Sequence, residues 1–74
     1  MKTNQEITKI VAERINDFMI EKGINIKQFA DFVCLPRRTV NSWILNNRTP
    51  RIDYLYHIAS CLNCTIDYLV GKEN

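Results

Sequence analysis

The chain has 74 residues, about half the length of an average domain, so the sequence predicts one domain over residues 1–74 with a single small core. That length excludes most enzyme architectures. With 46% hydrophobic and 24% charged residues, the composition is that of a compact folded domain. No apolar run approaches the roughly 18 residues of a membrane span, and the first residues lack the hydrophobic segment of a signal peptide. We therefore expect a cytoplasmic protein whose three cysteines are reduced thiols.

The net charge of +2 hides an uneven distribution along the chain. Residues 1–22 carry four basic and four acidic side chains, and residues 52–74 carry one basic and three acidic side chains. Residues 23–51 carry five basic side chains and one acidic side chain. A positive central segment between neutral and acidic flanks favours an anionic partner such as nucleic acid, although a solvated basic face is the simpler alternative.

Two helices are predicted in the first half of the chain. Thr3 and Glu6 have the spacing of a capping box, and apolar residues then recur at helical intervals until Gly23 ends the first helix. Asn25 and Gln28 repeat this start signal for a second helix of about two turns. The apolar residues on its inward face are Ile26, Phe29, Ala30 and Val33.

Three more helices are predicted after Pro36, a residue that suits the first turn of a helix over residues 37–45. Residues 46–51, with the sequence NNRTPR, form a loop. A fourth helix ends at Asn63, and Thr65 caps a short fifth helix. The inward residues of the third and fourth helices are Val40, Trp43, Ile44, Leu55, Ile58, Ala59 and Leu62. No segment alternates with period two, so the sequence predicts an all-α fold of five helices.

Residues 25–44 have helix-turn-helix spacing, because two short amphipathic helices are joined by a turn of three or four residues. A DNA-reading motif needs a small residue where the helices cross, apolar residues inside the second helix, and polar or basic side chains on its outer face. Ala30 meets the first need, and Val40 and Trp43 meet the second. The outer face carries Arg37, Arg38, Asn41 and Ser42.

Over roughly residues 7–71, the chain resembles the Cro and phage-repressor type of helix-turn-helix domain, also called the xenobiotic-response-element family. The features that carry the resemblance are, in chain order, Gly23, Phe29-Ala30, Val40, Trp43, Arg48-Thr49-Pro50 and Asp67-Tyr68-Leu69-Val70-Gly71. Each short feature is weak evidence alone, but their order along the chain is specific to this family. The resemblance implies a compact five-helix bundle of the lambda-repressor-like DNA-binding fold, with the helix-turn-helix at about residues 25–45.

Three features depart from the family pattern. Ile26 stands where the family usually has a Gln that contacts DNA, so we expect Lys27 and backbone amides to position the second helix instead. Cys34 stands where the turn usually has Gly, and left-handed geometry costs a non-glycine residue about 1 kcal/mol, so we expect the turn to differ in detail. Met19 and Ile44 replace an Arg–Glu ion pair, which indicates that this contact survives as packing.

The resemblance implies a sequence-specific transcriptional regulator, a repressor, that binds double-stranded DNA with its third helix in the major groove. The base-reading residues that it implies are Arg37, Arg38, Asn41 and Ser42, with contact of one of the two arginines to a phosphate as the alternative. The residues that it implies for the sugar–phosphate backbone are Lys27, Thr39, Asn46, Asn47, Arg48 and Arg51. It also implies a symmetric homodimer on a palindrome, for which we expect a contact surface near Tyr68 and Val70.

Other functions have weaker support in the sequence. His57, Cys61 and Cys64 have helical spacing and Cys34 could join them around zinc, but cysteines often act as small buried hydrophobes, so we predict no metal and no cofactor. The acidic residues are widely spaced and the single His lies in an apolar helix, so we predict no enzyme. The main alternative is a small protein-interaction module, such as an antitoxin, that binds a partner protein with or without DNA.

Overall fold

Five helices form in the order that the sequence predicts. The computed structural model describes residues 2–72 of the chain. Its helices are α1 (Asn4–Lys22), α2 (Ile26–Val33), α3 (Arg37–Ile44), α4 (Ile52–Leu62) and α5 (Ile66–Leu69). Residues 2–72 contain no strand, so the predicted all-α fold is confirmed.

Side-chain caps fix where three of these helices begin. The Thr3 hydroxyl accepts a hydrogen bond from the Glu6 backbone N–H at 3.2 Å, and α1 starts with the predicted capping box. At α2, Asn25 Oδ1 accepts from the Gln28 N–H at 2.8 Å, while the Gln28 side chain accepts from the Asn25 N–H at 3.0 Å. The Thr65 hydroxyl caps α5 in the same way. These bonds satisfy N–H groups that the first turn of a helix leaves without partners.

Left-handed residues end α1, α2 and α4. Gly23, Cys34 and Asn63 have φ angles of 66°, 58° and 55°. After α2, the Cys34 N–H donates to the Asp31 carbonyl and the Leu35 N–H donates to the Ala30 carbonyl, which is the Schellman pattern. Cys34 therefore takes up the left-handed geometry although it carries a Cβ atom, and the turn closes with regular helix-end hydrogen bonds.

The core lies between the middle of α1 and the inward faces of the later helices. Phe29 of α2 is fully buried, and its ring meets Phe18 of α1 edge-on at 5.9 Å. Met19 is buried, and Ile44 is partly buried against the core cluster that contains Met19. The buried apolar residues are Val11, Ile15, Met19, Phe29, Ala30, Val33, Val40, Trp43, Leu55, Ile58, Ala59 and Leu69.

Three contacts between side chains and distant parts of the chain fix the helices relative to each other. The Arg14 guanidinium lies 4.4 Å from the centroid of the Tyr68 ring and donates from Nε to the Tyr68 carbonyl at 3.1 Å, which joins α1 to α5. His57 Nε2 lies 2.6 Å from the Val33 carbonyl oxygen. A carbonyl only accepts, so Nε2 carries the proton and α4 satisfies the last turn of α2. The hydroxyls of Thr8 and Thr49 join α1 to the loop between α3 and α4.

Candidate nucleic-acid interface

The α3 helix has two distinct sides. Val40 and Trp43 are buried, and the Trp43 ring packs 5.4 Å from the ring of Tyr54 on α4. Trp43 is therefore a core residue, as its inward spacing predicts, and it is not available to stack on a base. The opposite side of the helix faces solvent, where Arg37 and Arg38 are exposed.

The beginning of α3 differs from the beginnings of α1, α2 and α5. Its N-cap residue is Pro36, and no side chain there accepts a hydrogen bond from the first turn. Pro36 has a φ angle of −59°, which its ring fixes and which leads directly into the helix. Backbone N–H groups at such an end carry a partial positive charge and can donate to an anion. Two arginine side chains extend from the same turn.

The four residues that the sequence predicts as base readers all lie on α3, but they are not equally accessible. Arg37 and Arg38 are exposed, and among residues 2–72 neither forms an ion pair. Asn41 is half-buried. Ser42 is half-buried too, and its hydroxyl donates to the Thr39 carbonyl at 2.6 Å, although its oxygen can still accept a hydrogen bond.

Half of the residues predicted to contact the DNA backbone lie in the loop directly after α3. Asn46, Asn47 and Arg48 are exposed, and the Arg48 N–H donates to the Ser42 carbonyl at 3.0 Å, which folds the loop back on α3. Asn47 has a φ angle of 54°, a left-handed geometry that Asn tolerates better than most residues. The loop therefore has a defined path beside the solvent-facing side of α3.

The remaining backbone candidates have different surroundings. Lys27 is exposed in the first turn of α2, and Thr39 is half-buried within α3. Arg51 is exposed, but it already pairs with Asp53 at 3.1 Å and lies 5.2 Å from the centroid of the Tyr54 ring. Because a guanidinium has five N–H donors, this pairing leaves donors for a further acceptor.

Sequence reasoning did not find a groove beside this surface that is lined by polar and basic residues. The groove encloses about 420 Å³ and lies between the first turns of α1 and the loop after α3. Its lining residues are Gln5, Thr8, Lys9 and Asn47. Contacts between residues some 40 positions apart leave no periodic pattern in a sequence, so no signal pointed to it.

The cysteines and His57 do not form a recognisable metal site. In the part of the chain that the structure describes, no group of three or more His, Cys, Asp or Glu side chains is arranged to hold a metal ion. His57 donates to a backbone carbonyl, with Cys61 Sγ 3.7 Å from its Nε2 atom, and Cys34 is exposed at the turn.

The family comparison agrees with this geometry. Residues 15–69 match the model of a helix-turn-helix family, the Cro/C1 type. The chain belongs to this family. Its members are DNA-binding regulatory domains, and the match includes all of α2 and α3. The comparisons with curated proteins and with solved structures gave no match. None of the helices within residues 2–72 is both long enough and apolar enough to cross a membrane.

Proposed function

We propose that this Cro/C1-type regulator is a transcriptional repressor that reads the DNA major groove with α3. The observation that carries the proposal is the division of α3 into a buried side, with Val40 and Trp43, and an exposed side that begins with Arg37 and Arg38. The buried side fixes the helix on the core. The exposed side can then enter a groove about 12 Å wide without disturbing the fold.

Base reading is assigned to side chains on that exposed side. Arg37 and Arg38 can each donate two hydrogen bonds to guanine O6 and N7, and Asn41 can bond to adenine N6 and N7. Each such pair is worth about 1–3 kcal/mol of discrimination between bases. Ser42 can accept a single bond, because its proton is directed to the Thr39 carbonyl. The two arginines are therefore the main determinants of the operator sequence.

Phosphate contacts are assigned to Lys27, Thr39, Arg51 and the loop after α3. The exposed donors of Asn46, Asn47 and Arg48 flank α3, where the DNA backbone passes on either side of the groove. These contacts set the register of α3 on the duplex and add affinity that falls with salt. A regulator of this kind acts where the DNA is, so the proposal includes a cytoplasmic location.

A homodimer on a palindromic operator is part of the proposal, but the structure favours a different surface from α5. Tyr68 is covered by Arg14 of α1, and Val70 is half-buried against the core. By contrast, Ile52 and Tyr56 lie one turn apart on α4 and are each 68% exposed. Large apolar side chains of this exposure are typical of contact surfaces, so we assign the dimer contact to α4.

Protein binding is the second candidate function, because an apolar groove lies on another side of the molecule. It encloses about 560 Å³, and Phe32, 51% exposed, lines it together with Phe18 and Leu62. An antitoxin-like module that binds a partner protein through this groove would show much less salt dependence than a DNA-binding protein. The two functions are compatible because the groove and α3 use different side chains.

Selection from a randomised duplex DNA pool at two salt concentrations tests the main proposal. The variant Arg37→Ala with Arg38→Ala should lose the palindromic sequence that the unchanged protein enriches. The control Lys22→Ala with Lys72→Ala removes the same charge from two exposed residues outside α3, and it should enrich the same palindrome. Circular dichroism checks that each variant is folded. If the unchanged protein enriches no sequence, the DNA-reading function is wrong and a partner protein should be sought.

A further inference from the structure

The N-terminal turns of α1 are fixed against the loop that follows α3. Thr8 is the single buried polar residue recorded within residues 2–72, with 4% of its surface exposed. Its hydroxyl bonds to the Asn4 carbonyl at 2.7 Å and to the Thr49 hydroxyl in the loop. The bond to Asn4 lies within α1, whereas the bond to Thr49 joins α1 to the loop and holds the two together. Because a buried hydroxyl is costly without partners, breaking this contact is unfavourable.

The groove at this junction has hydrogen-bond donors on both of its walls. Gln5 and Lys9 lie four residues apart on α1, so their side chains are neighbours on one helix face, and both are exposed. Asn47 stands on the loop wall opposite them. The groove therefore offers one ammonium group and two side-chain amides, each of which can donate hydrogen bonds.

The Lys9 ammonium is available for an external anion. Glu6 and Glu13 lie three residues before and four residues after it, spacings at which ion pairs form on helices. Within residues 2–72, however, the one ion pair is that between Arg51 and Asp53. No carboxylate therefore neutralises Lys9.

We propose that Lys9, with Gln5 beside it, binds a DNA phosphate next to the base pairs that α3 contacts. The interface then extends beyond the helix-turn-helix onto α1, with Asn47 shared between the groove and the loop. A phosphate fits this groove because its oxygens accept several hydrogen bonds and supply the negative charge that neutralises Lys9. Thr8 is the positioning residue, since its bond to Thr49 sets the distance between the two walls. The inference rests on the proposed DNA-binding function.

Salt titration of DNA binding with the variant Lys9→Gln tests this contact. The probe is a mixed-sequence duplex of 25 base pairs, so no knowledge of the operator is needed. Each phosphate contact makes the negative slope of log K against log salt steeper by about 0.9, and Lys9→Gln should make the slope shallower by about that amount. Lys9→Arg should keep the slope of the unchanged protein, because it keeps the charge.

The matched control is Lys22→Gln, which removes the same charge at the other end of α1 and should leave the slope unchanged. A Lys9→Gln slope equal to that of the unchanged protein overturns the inference. An equally shallow Lys22→Gln slope also overturns it, because net charge alone would then be the cause. If the unchanged protein shows no salt-dependent binding, the proposed function fails rather than this contact.

Discussion

The helices α2 and α3 have eight residues each, but their ends are built differently. A capping box with Asn25 and Gln28 starts α2, and a left-handed Cys34 with two backbone bonds ends it. By contrast, α3 starts at Pro36 without a side-chain cap and ends at Leu45, whose backbone is still right-handed. Local hydrogen bonds therefore define the ends of α2, whereas α3 is held mainly by packing of its buried side chains.

This difference teaches where the chain can leave polar groups for a ligand. At a capped helix start, the side-chain cap already accepts a hydrogen bond from an N–H of the first turn, whereas at an uncapped start that N–H can donate to a ligand. The second start without a cap from its N-cap residue belongs to α4 at Arg51, although there the Tyr54 N–H already donates to Asp53 Oδ1 at 3.0 Å. Both uncapped starts adjoin predicted DNA-contact residues, and the three side-chain caps support the scaffold around them.

Of the changes that test this comparison, removing the Trp43 side chain should lower the free energy of unfolding the most. Because α3 lacks a side-chain cap, its position depends on burying Val40 and Trp43. We expect Trp43→Ala to lower the free energy of unfolding by about 3–5 kcal/mol, most of the stability of a small domain. Urea denaturation followed by circular dichroism measures this loss.

The matched variant Trp43→Phe keeps an aromatic ring against Tyr54 and should cost much less than Trp43→Ala. Hydrogen exchange on the unchanged protein adds a local test, because the amides of α3 should exchange faster than those of α2. A loss under about 1 kcal/mol for Trp43→Ala would contradict the view that packing holds α3.

Removing the side-chain cap of α2 should cause the next largest loss of stability. Asn25→Ala removes the oxygen that accepts from the Gln28 N–H, so we expect a loss of about 1 kcal/mol, or about 4–8 °C in Tm for a domain of this size. Asn25→Asp keeps an acceptor and is the control. An unchanged Tm for Asn25→Ala would mean that packing alone also defines α2.

The pattern of the sequence was enough to predict the helices and most of their ends. Local signals, such as Thr3 with Glu6 or Asn63 after an apolar helix, depend on atoms a few residues apart and are readable from one chain. The bonds from Thr8 to Thr49 and from His57 to Val33 were not predicted. They depend on how the helices pack in three dimensions, which no local spacing encodes.

The candidate site, too, was predictable from the sequence only in part. The family resemblance identified α3 and its loop, but accessibility distinguishes the residues within them, since Arg37 is exposed while Ser42 bonds to its own helix. The dimer contact expected near Tyr68 stays a prediction, and our proposal places it on α4 instead, because Arg14 covers the Tyr68 ring whereas Tyr56 is 68% exposed. Exposure of this kind follows from tertiary packing and has no signature in composition or charge.

Replacing Cys34 should have a smaller effect and the opposite sign. Its φ angle of 58° is unfavourable for a residue with a Cβ atom, so we expect Cys34→Gly to raise the free energy of unfolding by about 0.5–1 kcal/mol. Cys34→Ala keeps the Cβ atom and removes the thiol, and it should give no gain. Thermal denaturation compares them, and an equal gain for both variants would show that the thiol, not the backbone, is the source of strain.

The smallest stability effect is expected at Ser42, where the same variant tests base reading. Ala favours a helix more than Ser does, and this gain offsets the lost bond to Thr39, so we expect Ser42→Ala to change stability by less than about 0.5 kcal/mol. If the Ser42 oxygen contacts a base, selection from a randomised DNA pool should show a weaker preference at one base pair, with the others unchanged. A preference unchanged at every position would restrict Ser42 to its bond within α3. Sequence reading would then depend on Arg37, Arg38 and Asn41, all earlier in α3 than Ser42.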